Sequence, residues 1–236
     1  MAIRGIASVG IGEPYKLALD RLRESLAIHD FRTVLGVIEG EGERPYSGYR
    51  AKPFALRCLR ELKQVEIGLL LDAPFVAIKS LDPLFEHIEE HGYYLSPSGF
   101  SVGQFTSDEM LKHFGLTRDE TMDWPQCASG CVGLDFRAPL CRRLLTRWCE
   151  ARPYFAGFHS NVNAGDKSYS YRNEGWVSDD PRCLGHRHDQ AALAIIAHEI
   201  GFTELTPWTK PGLDAGFVAY GRADVTKRSV LVLEGL

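Results

Sequence analysis

The sequence has no run of about 20 apolar residues such as a membrane-spanning helix needs. Its richest segment, residues 65–78, is broken by Glu66, Asp72 and Pro74, so no membrane span is expected. The opening Met1-Ala2-Ile3-Arg4-Gly5 lacks the long apolar core and cleavage site of a signal peptide, and the expected location is the cytoplasm. Cysteine is scarce and unpatterned. Cys58, Cys127, Cys131, Cys141, Cys149 and Cys183 form no regular framework, and free thiols are the expectation. Zinc held by Cys127 and Cys131 with Cys183, His186 or His188 would lack the paired C-x-x-C spacing of a structural site. An excess of positive charge is missing too: 27 Lys and Arg face 31 Asp and Glu, for a net charge of -4, which argues against neutralising a nucleic-acid duplex. Internal repeats and low-complexity tracts are absent.

What is present is ordinary globular material, 236 residues of which 44% are hydrophobic and 25% charged. A chain of that length buries about 70% of its unfolded surface, so its core needs no disulfide staples.

The first ninety residues alternate strand and helix signals. Residues 3–9 are apolar and small, end at Gly10-Ile11-Gly12, and hand over to Pro14, which suits a first helical turn because its missing N–H would be unpaired there. Tyr15, Leu19, Leu22 and Leu26 then share one helical face. Residues 33–38 (TVLGVI) predict a strand, Pro53 a second helix start, residues 66–71 (EIGLLL) a third strand, and Asp82-Pro83 a third helix closed by Gly92. The expected fold is α/β, with a mostly parallel central sheet flanked by helices in one domain over 1–236. Its two halves are residues 1–95 and 96–236.

Further along, Thr106 to Glu109 and Thr117 to Glu120 have the form of capping boxes. Residues 129–136 (SGCVGLDF) predict a strand. Residues 138–151 predict an amphipathic helix with Leu140, Leu144, Leu145 and Trp148 on one side and Arg142, Arg143 and Arg147 on the other. Residues 157–188 carry no hydrophobic period, as in a functional loop. His159, Asn161, Tyr169, Tyr171 and Trp176 give that loop the aromatic and amide content for stacking on sugars or bases, which makes it a candidate lid. Residues 189–200 predict a helix stopped by Gly201, and residues 216–220 and 229–233 two short strands.

In a parallel sheet, ligands lie beyond the carboxyl ends of the strands. That rule selects residues 8–12, Glu39 and Asp72. Gly10-Ile11-Gly12 lets backbone amides approach an anion, yet it lacks the third glycine of a dinucleotide fingerprint and the lysine of a P-loop. Asp72, closing Leu69-Leu70-Leu71, is the more informative, because a carboxylate there meets a metal or a ligand hydroxyl, with a turn cap as the plainer role. His186-Arg187-His188-Asp189-Gln190 is the densest polar cluster. Asp189 there suits a helix N-cap, and the two imidazoles suit metal ligation or phosphate binding.

Lys52-Pro53-Phe54 before a helix, followed by Gly68-Leu-Leu-Leu-Asp72-Ala-Pro-Phe-Val-Ala-Ile-Lys79-Ser-Leu-Asp-Pro-Leu-Phe85, resembles the nucleotide-sugar core of GT-A fold glycosyltransferases. Residues 129–133 (SGCVG) are similar to that family's small-residue strand, and His188-Asp189-Gln190 to its late H/G-D-Q element. The order agrees over most of residues 3–206, and the resemblance implies a nucleotide-binding half over 1–95 and an acceptor-binding half over 96–236, with the 157–188 loop as acceptor lid. The length and the GHRHDQ run also resemble small phage-encoded proteins of this type. The resemblance implies a nucleoside-diphosphate sugar, of the UDP type or related, lying across the strand ends. It implies Ser8, Val9, Gly10 and Tyr15 near the base, and Lys52, Leu71, Asp72, Ala73 and Gly130 near the ribose, diphosphate or sugar. Asp189 would face sugar and acceptor, as catalytic base if the enzyme inverts, with His188 as its substitute.

The family's Asp-x-Asp motif holds a divalent ion, Mn2+ or Mg2+, and here its third position is Pro74, which has no oxygen to offer. Three outcomes follow: Asp72 shares a metal with His186 or His188, basic side chains neutralise the diphosphate, or catalysis is lost. The acceptor is an unspecified hydroxyl on a glycan, protein or small molecule. Rival readings are transfer to a modified nucleic-acid base using Arg142, Arg143 and Arg147, a non-catalytic sugar-nucleotide-like binding module, and a metal hydrolase built on His186, His188 and Asp189.

Overall fold

A computed structural model of the chain describes residues 2–13, 15–29, 34–40, 47–155, 177–207 and 217–219. The order of elements is β1 (Arg4–Ile11), α1 (Tyr15–Ile28), β2 (Val34–Gly40), α2 (Ser47–Lys63), β3 (Ile67–Leu71), β4 (Phe75–Ala77), α3 (Asp82–His91), β5 (Tyr93–Ser101), α4 (Asp108–His113), α5 (Arg118–Thr121), β6 (Pro125–Asp135), α6 (Pro139–Glu150), a single 3-10 turn over Arg152–Phe155, α7 (His188–Glu199) and β7 (Phe217–Ala219).

The main sheet has five strands in the order β2-β1-β3-β6-β5. β1 pairs in parallel with β2 and β3, while β6 runs antiparallel to both β3 and β5. Four strands therefore share a direction and β6 alone opposes them, so the fold is α/β with a mostly parallel sheet. β3 is buried at every position, as a strand covered on both faces must be, and its run of Ile and Leu reflects that. Its alternate side chains feed two cores. Ile67, Leu69 and Leu71 join Leu19 and Leu22 of α1 and Leu84, Phe85 and Ile88 of α3. Leu70 joins Leu56 and Leu59 of α2, Leu144 and Trp148 of α6, and Leu193 and Ile196 of α7.

The expected βαβαβα run is present, with local corrections. α2 does not start at Pro53 but at Ser47, so Pro53 lies inside it. Asp82 does not cap α3: Leu81 holds the N-cap position without a side-chain bond, and Asp82 is instead engaged by Ser80 and Arg4. Gly92 closes α3 in a left-handed conformation, its N–H donating to the Ile88 carbonyl. The cap of α4 is Ser107, one residue later than expected, because the Thr106 hydroxyl already donates to the Val102 carbonyl. Both arms of the Thr117–Glu120 capping box are made.

β5 was not expected from the sequence, although it opens with the strand formers Tyr93 and Tyr94. It is an edge strand containing Pro97, and its pairing with β6 slips on either side of that residue, where a missing N–H breaks the ladder. In α6, Cys141 and Cys149 join Leu144, Leu145 and Trp148 in the buried face, whereas Leu140 is 45% exposed. The expected strand at 216–220 is β7, paired with β4. Residues 229–233 and most of the expected lid, including His159, Asn161, Tyr169, Tyr171 and Trp176, lie outside the described residues. Among the described residues no helix is long and apolar enough to cross a membrane. All six cysteines are free thiols.

Candidate functional site

The carboxyl end of β3 delivers Asp72, whose backbone is pinned on both sides. Its N–H donates to the Gly130 carbonyl at 2.8 Å, and its own carbonyl accepts from Phe75 at 2.9 Å. Lys52 reaches the same point from α2. Its ammonium lies 2.9 Å from Asp72 Oδ1, 3.3 Å from Asp189 Oδ2 and 3.4 Å from Ser129 Oγ. The ammonium thus bridges two carboxylates that are 117 positions apart in the chain, the difference between 189 and 72.

Burial alone would pull the Lys52 ammonium down. The carboxylates of Asp189 and Asp72 outweigh it and hold the group above the ordinary lysine range. Asp189 shifts the other way for a carboxyl: burial pushes its pKa up, with Lys52 opposing and Asp72 adding to the rise. Its Oδ2 has the Lys52 ion pair and no further hydrogen bond although the residue is 2% exposed, while the Ser129 side chain also bonds the carboxylate and opposes the rise. Asp189 is not an N-cap. It is the second residue of α7, after Arg187 at the cap position and His188 as first residue. Nearby, burial pushes the Cys127 thiol up to about 12, with Asp189 adding to the rise.

His188 has a φ of +43°, a left-handed conformation that bulky side chains avoid, and strain of this kind concentrates at functional sites. Its ring stacks on Tyr49 at 4.6 Å, and its Nδ1 lies 2.9 Å from the Phe155 carbonyl. A carbonyl only accepts, so Nδ1 carries the proton. His186 accepts from the Ser107 N–H at 3.1 Å, and burial holds its pKa well below the usual histidine value, with His188 acting in the same direction.

The other sequence-selected positions divide by role. Gly130 sits against the carboxylate, since a Cβ there would lie 3.2 Å from the Phe75 ring and 3.3 Å from Asp72 Oδ2. Leu71 and Ala73 are buried on either side of Asp72. Ser8 is buried and donates to the Leu71 carbonyl at 2.7 Å, tying β1 to the end of β3. Gly10 answers to packing, because a Cβ there would meet Leu19 Cδ2 at 2.8 Å. Val9 and Tyr15 are half-buried, and α1 begins at Tyr15, whose N–H donates to the Gly12 carbonyl. Two members were not singled out as site residues: Tyr49, one helical turn before Lys52 on the same face, and Ser129, which the sequence placed only within a strand. The i, i+3 spacing of an aromatic and a lysine was the signal available for the first.

The donor set does not fit a divalent ion. The space between the two carboxylates is filled by an ammonium, Pro74 contributes no oxygen, and among the described residues no three His, Cys, Asp or Glu side chains gather at metal-holding distances. The expected grouping of Asp72 with His186 and His188 is therefore not assembled, nor is the zinc set of Cys127, Cys131 and Cys183. Of the basic residues expected on α6, Arg147 pairs with Glu199 at 2.5 Å and Arg142 donates to the carbonyls of Phe136 and Arg137.

No protein family matches the sequence, and no curated protein is similar to it. Similar solved structures include mouse xyloside xylosyltransferase 1 in its apo form, at 14% identity and a TM-score of 0.45, over 86% of this chain and 84% of that one. The bifunctional glycosyltransferase WbbM in its apo form is similar at 10% identity and a TM-score of 0.44 over 63% of this chain, which spans 34% of WbbM's length. A glycosyltransferase involved in glycosylating the major capsid of PBCV-1 is similar at 12% identity and a TM-score of 0.33, over 63% of this chain and 67% of that one. All three of those proteins are glycosyltransferases.

Proposed function

We propose that this protein transfers a sugar from a nucleoside-diphosphate sugar to a hydroxyl acceptor at the cluster of Lys52, Asp72 and Asp189. The observation that carries the proposal is the Lys52 ammonium bridging Asp72, at the end of a central strand, and Asp189, at the start of a buried helix. Strand ends beside a helix start are where a sheet of this kind receives ligands.

In this reading the nucleoside lies along the ends of β1 and β3, beside Val9, Gly10 and Tyr15, with Ser8 holding those strand ends together. Asp72 accepts from a ribose or sugar hydroxyl. Its carboxylate is positioned by Lys52, by Gly130, and by the buried flanks Leu71 and Ala73. At the reacting carbon the bond to the diphosphate oxygen breaks, and the leaving diphosphate takes the electron pair. The acceptor oxygen bonds to that carbon as its proton passes to Asp189. A carboxylate whose pKa is raised by burial is the better proton acceptor, and Asp189 Oδ2 has room in its hydrogen-bonding for a donor. His188, locked by Tyr49 and Phe155, shapes the wall and is the substitute base.

Lys52 is the cation of the site, so donor binding is expected without manganese. One ammonium against two carboxylates also leaves room for a second reading, a module that binds the sugar nucleotide and does not turn it over. The test is thermal stability against nucleoside diphosphates and their sugars, with manganese and with chelator, followed by donor consumption. A ligand at 100 times its dissociation constant adds about 2.7 kcal/mol. A chelator-resistant shift with turnover supports transfer, a shift without turnover supports the binding module, and no shift with any nucleotide removes both.

A further inference from the structure

α2 is two-faced. Tyr49, Lys52, Leu56 and Leu59 look inward, while Arg50, Arg57 and Arg60 look out at a spacing of seven and then three residues. At 1.5 Å per residue this row runs about 15 Å along the helix. Arg152, from the 3-10 turn, faces it across a cleft walled by α6 that encloses about 700 Å³. That volume is within the range of small-ligand sites, yet the cleft is away from the Lys52 cluster and shares no residue with it.

Elsewhere in the described structure, six arginines pair with carboxylates. Arg4 pairs with Asp82, Arg23 with Asp20, Arg118 with Asp108, Arg137 with Asp135, Arg147 with Glu199 and Arg182 with Asp180. In the cleft only Arg60 has such a partner, Glu61, and that pair is solvent-exposed and weak. Among the described residues no carboxylate pairs with Arg50, Arg57 or Arg152. Arg57 and Arg152 instead lie over the Phe54 ring, at 5.0 and 5.8 Å, which fixes their planes. That contact uses none of their N–H donors. Among the described residues Arg152 donates only its Nε, to the Cys149 carbonyl, which leaves its two terminal nitrogens for a ligand. The field is felt locally: burial raises the Cys149 thiol, Arg57, Arg152 and Arg60 pull it down, and Glu61 opposes them.

Glu61 and Glu150 also line the cleft, so four guanidinia face two carboxylates there, a local positive excess in a chain of net charge -4. The forked geometry of a guanidinium matches phosphate oxygens bidentately, and a row about 15 Å long exceeds what one phosphate needs. The one aromatic ring is already covered by two arginines, so nothing is offered for a base to stack on. We propose that the cleft between α2, α6 and the 3-10 turn is a second binding site, which takes a single nucleic-acid strand through its phosphate backbone. The proposal does not depend on the glycosyl-transfer reading. It assigns backbone contact to Arg50, Arg57, Arg60 and Arg152, not to Arg142 and Arg147, which are already engaged within the chain.

The test is fluorescence anisotropy of the full chain with labelled oligothymidylate over a salt series. With three or four phosphate contacts, log affinity falls against log salt with a slope of about -2 to -3. Reversing two charges (R57E with R152E) lowers affinity more than tenfold, Arg57→Lys lowers it less because it keeps charge and loses the fork, and Arg143→Glu, outside the cleft, leaves it unchanged. Thermal unfolding of each variant checks the fold, with Arg57→Gln and Arg152→Gln standing in if the reversal unfolds it. The donor-dependent thermal shift stays as in the parent, because that site is separate. The proposal is overturned by absence of binding at low salt, by parental affinity in the cleft variants, by an equal loss in R143E, or by equal displacement with polyglutamate.

Discussion

Asp72 and Asp189 meet the same ammonium, but they are set there by differently built regions. Asp72 follows a short strand buried on both faces, and its side chain is 32% exposed. Asp189 opens a helix buried almost all round by Ala191, Ala192, Leu193, Ala194, Ile195, Ile196 and Ala197, and its side chain is 2% exposed. The first carboxylate keeps a wet side and suits ligand binding. The second is desolvated and has its proton affinity raised, which suits proton transfer. Identical chemistry is thus divided by solvent access.

The largest test of that division is kinetic. Asp189→Asn removes the proton acceptor and is expected to lower turnover by about 10² to 10⁴ in steady-state donor consumption. Asp72→Asn is expected to act on KM, and equal losses of kcat in both variants would erase the distinction.

Next comes the ammonium that joins the two regions. Lys52→Met leaves the buried Asp189 without its counter-charge, and denaturant unfolding should show a loss of about 3–5 kcal/mol. A loss below about 1 kcal/mol would mean that the two carboxylates do not depend on the bridge.

Acid sharpens the contrast from the side of α7. His186 stays neutral in the fold because burial depresses its pKa, whereas in the unfolded chain it protonates near 6.5. The unfolded state then binds the extra proton, so stability rises with pH through this range and falls by about 1.4 kcal/mol for each unit below about 6.5. Asp189, with its raised pKa, contributes the opposite slope at pH values above its unfolded value near 4. The difference between the parent and His186→Gln across the series isolates the histidine, and parallel curves would rule out its neutral burial.

The smallest effect belongs to the exposed partner. Asp72→Asn should weaken donor binding by about 1 kcal/mol, roughly fivefold, with the unfolding midpoint little changed.

Much of the parallel half was legible. Leu69-Leu70-Leu71 reads as a strand buried on both sides, and the Asp that ends it falls at the ligand edge by topology alone. β5 was missed because Ser96, Pro97, Ser98 and Gly99 interrupt the strand formers Tyr93, Tyr94 and Phe100. An edge strand with interrupted pairing tolerates that break. The α2 start was misread for a related reason, since Pro53 is a common first-turn residue but is also tolerated inside a helix whose packing compensates for the lost bond. Gly10 was noticed as part of a turn whose backbone amides could approach an anion, and its constraint in the fold is the neighbouring Leu19 side chain. The Asp189 cap reading failed for the same kind of cause. Local sequence favoured a cap, and a lysine 137 positions away, the difference between 189 and 52, took the carboxylate instead.

By itself the sequence determined the alternation of strands and helices, the burial of β3 and the candidacy of Asp72, His188 and Asp189, because these follow from periodicity and from local residue chemistry. Only the tertiary structure decided that Lys52 would fill the space between the two carboxylates, that Pro74 and the scattered histidines would assemble no three-ligand group among the described residues, and that four arginines would share a cleft. Those outcomes depend on distances between segments far apart in the chain, and such distances are set by packing, about which local pattern carries no information.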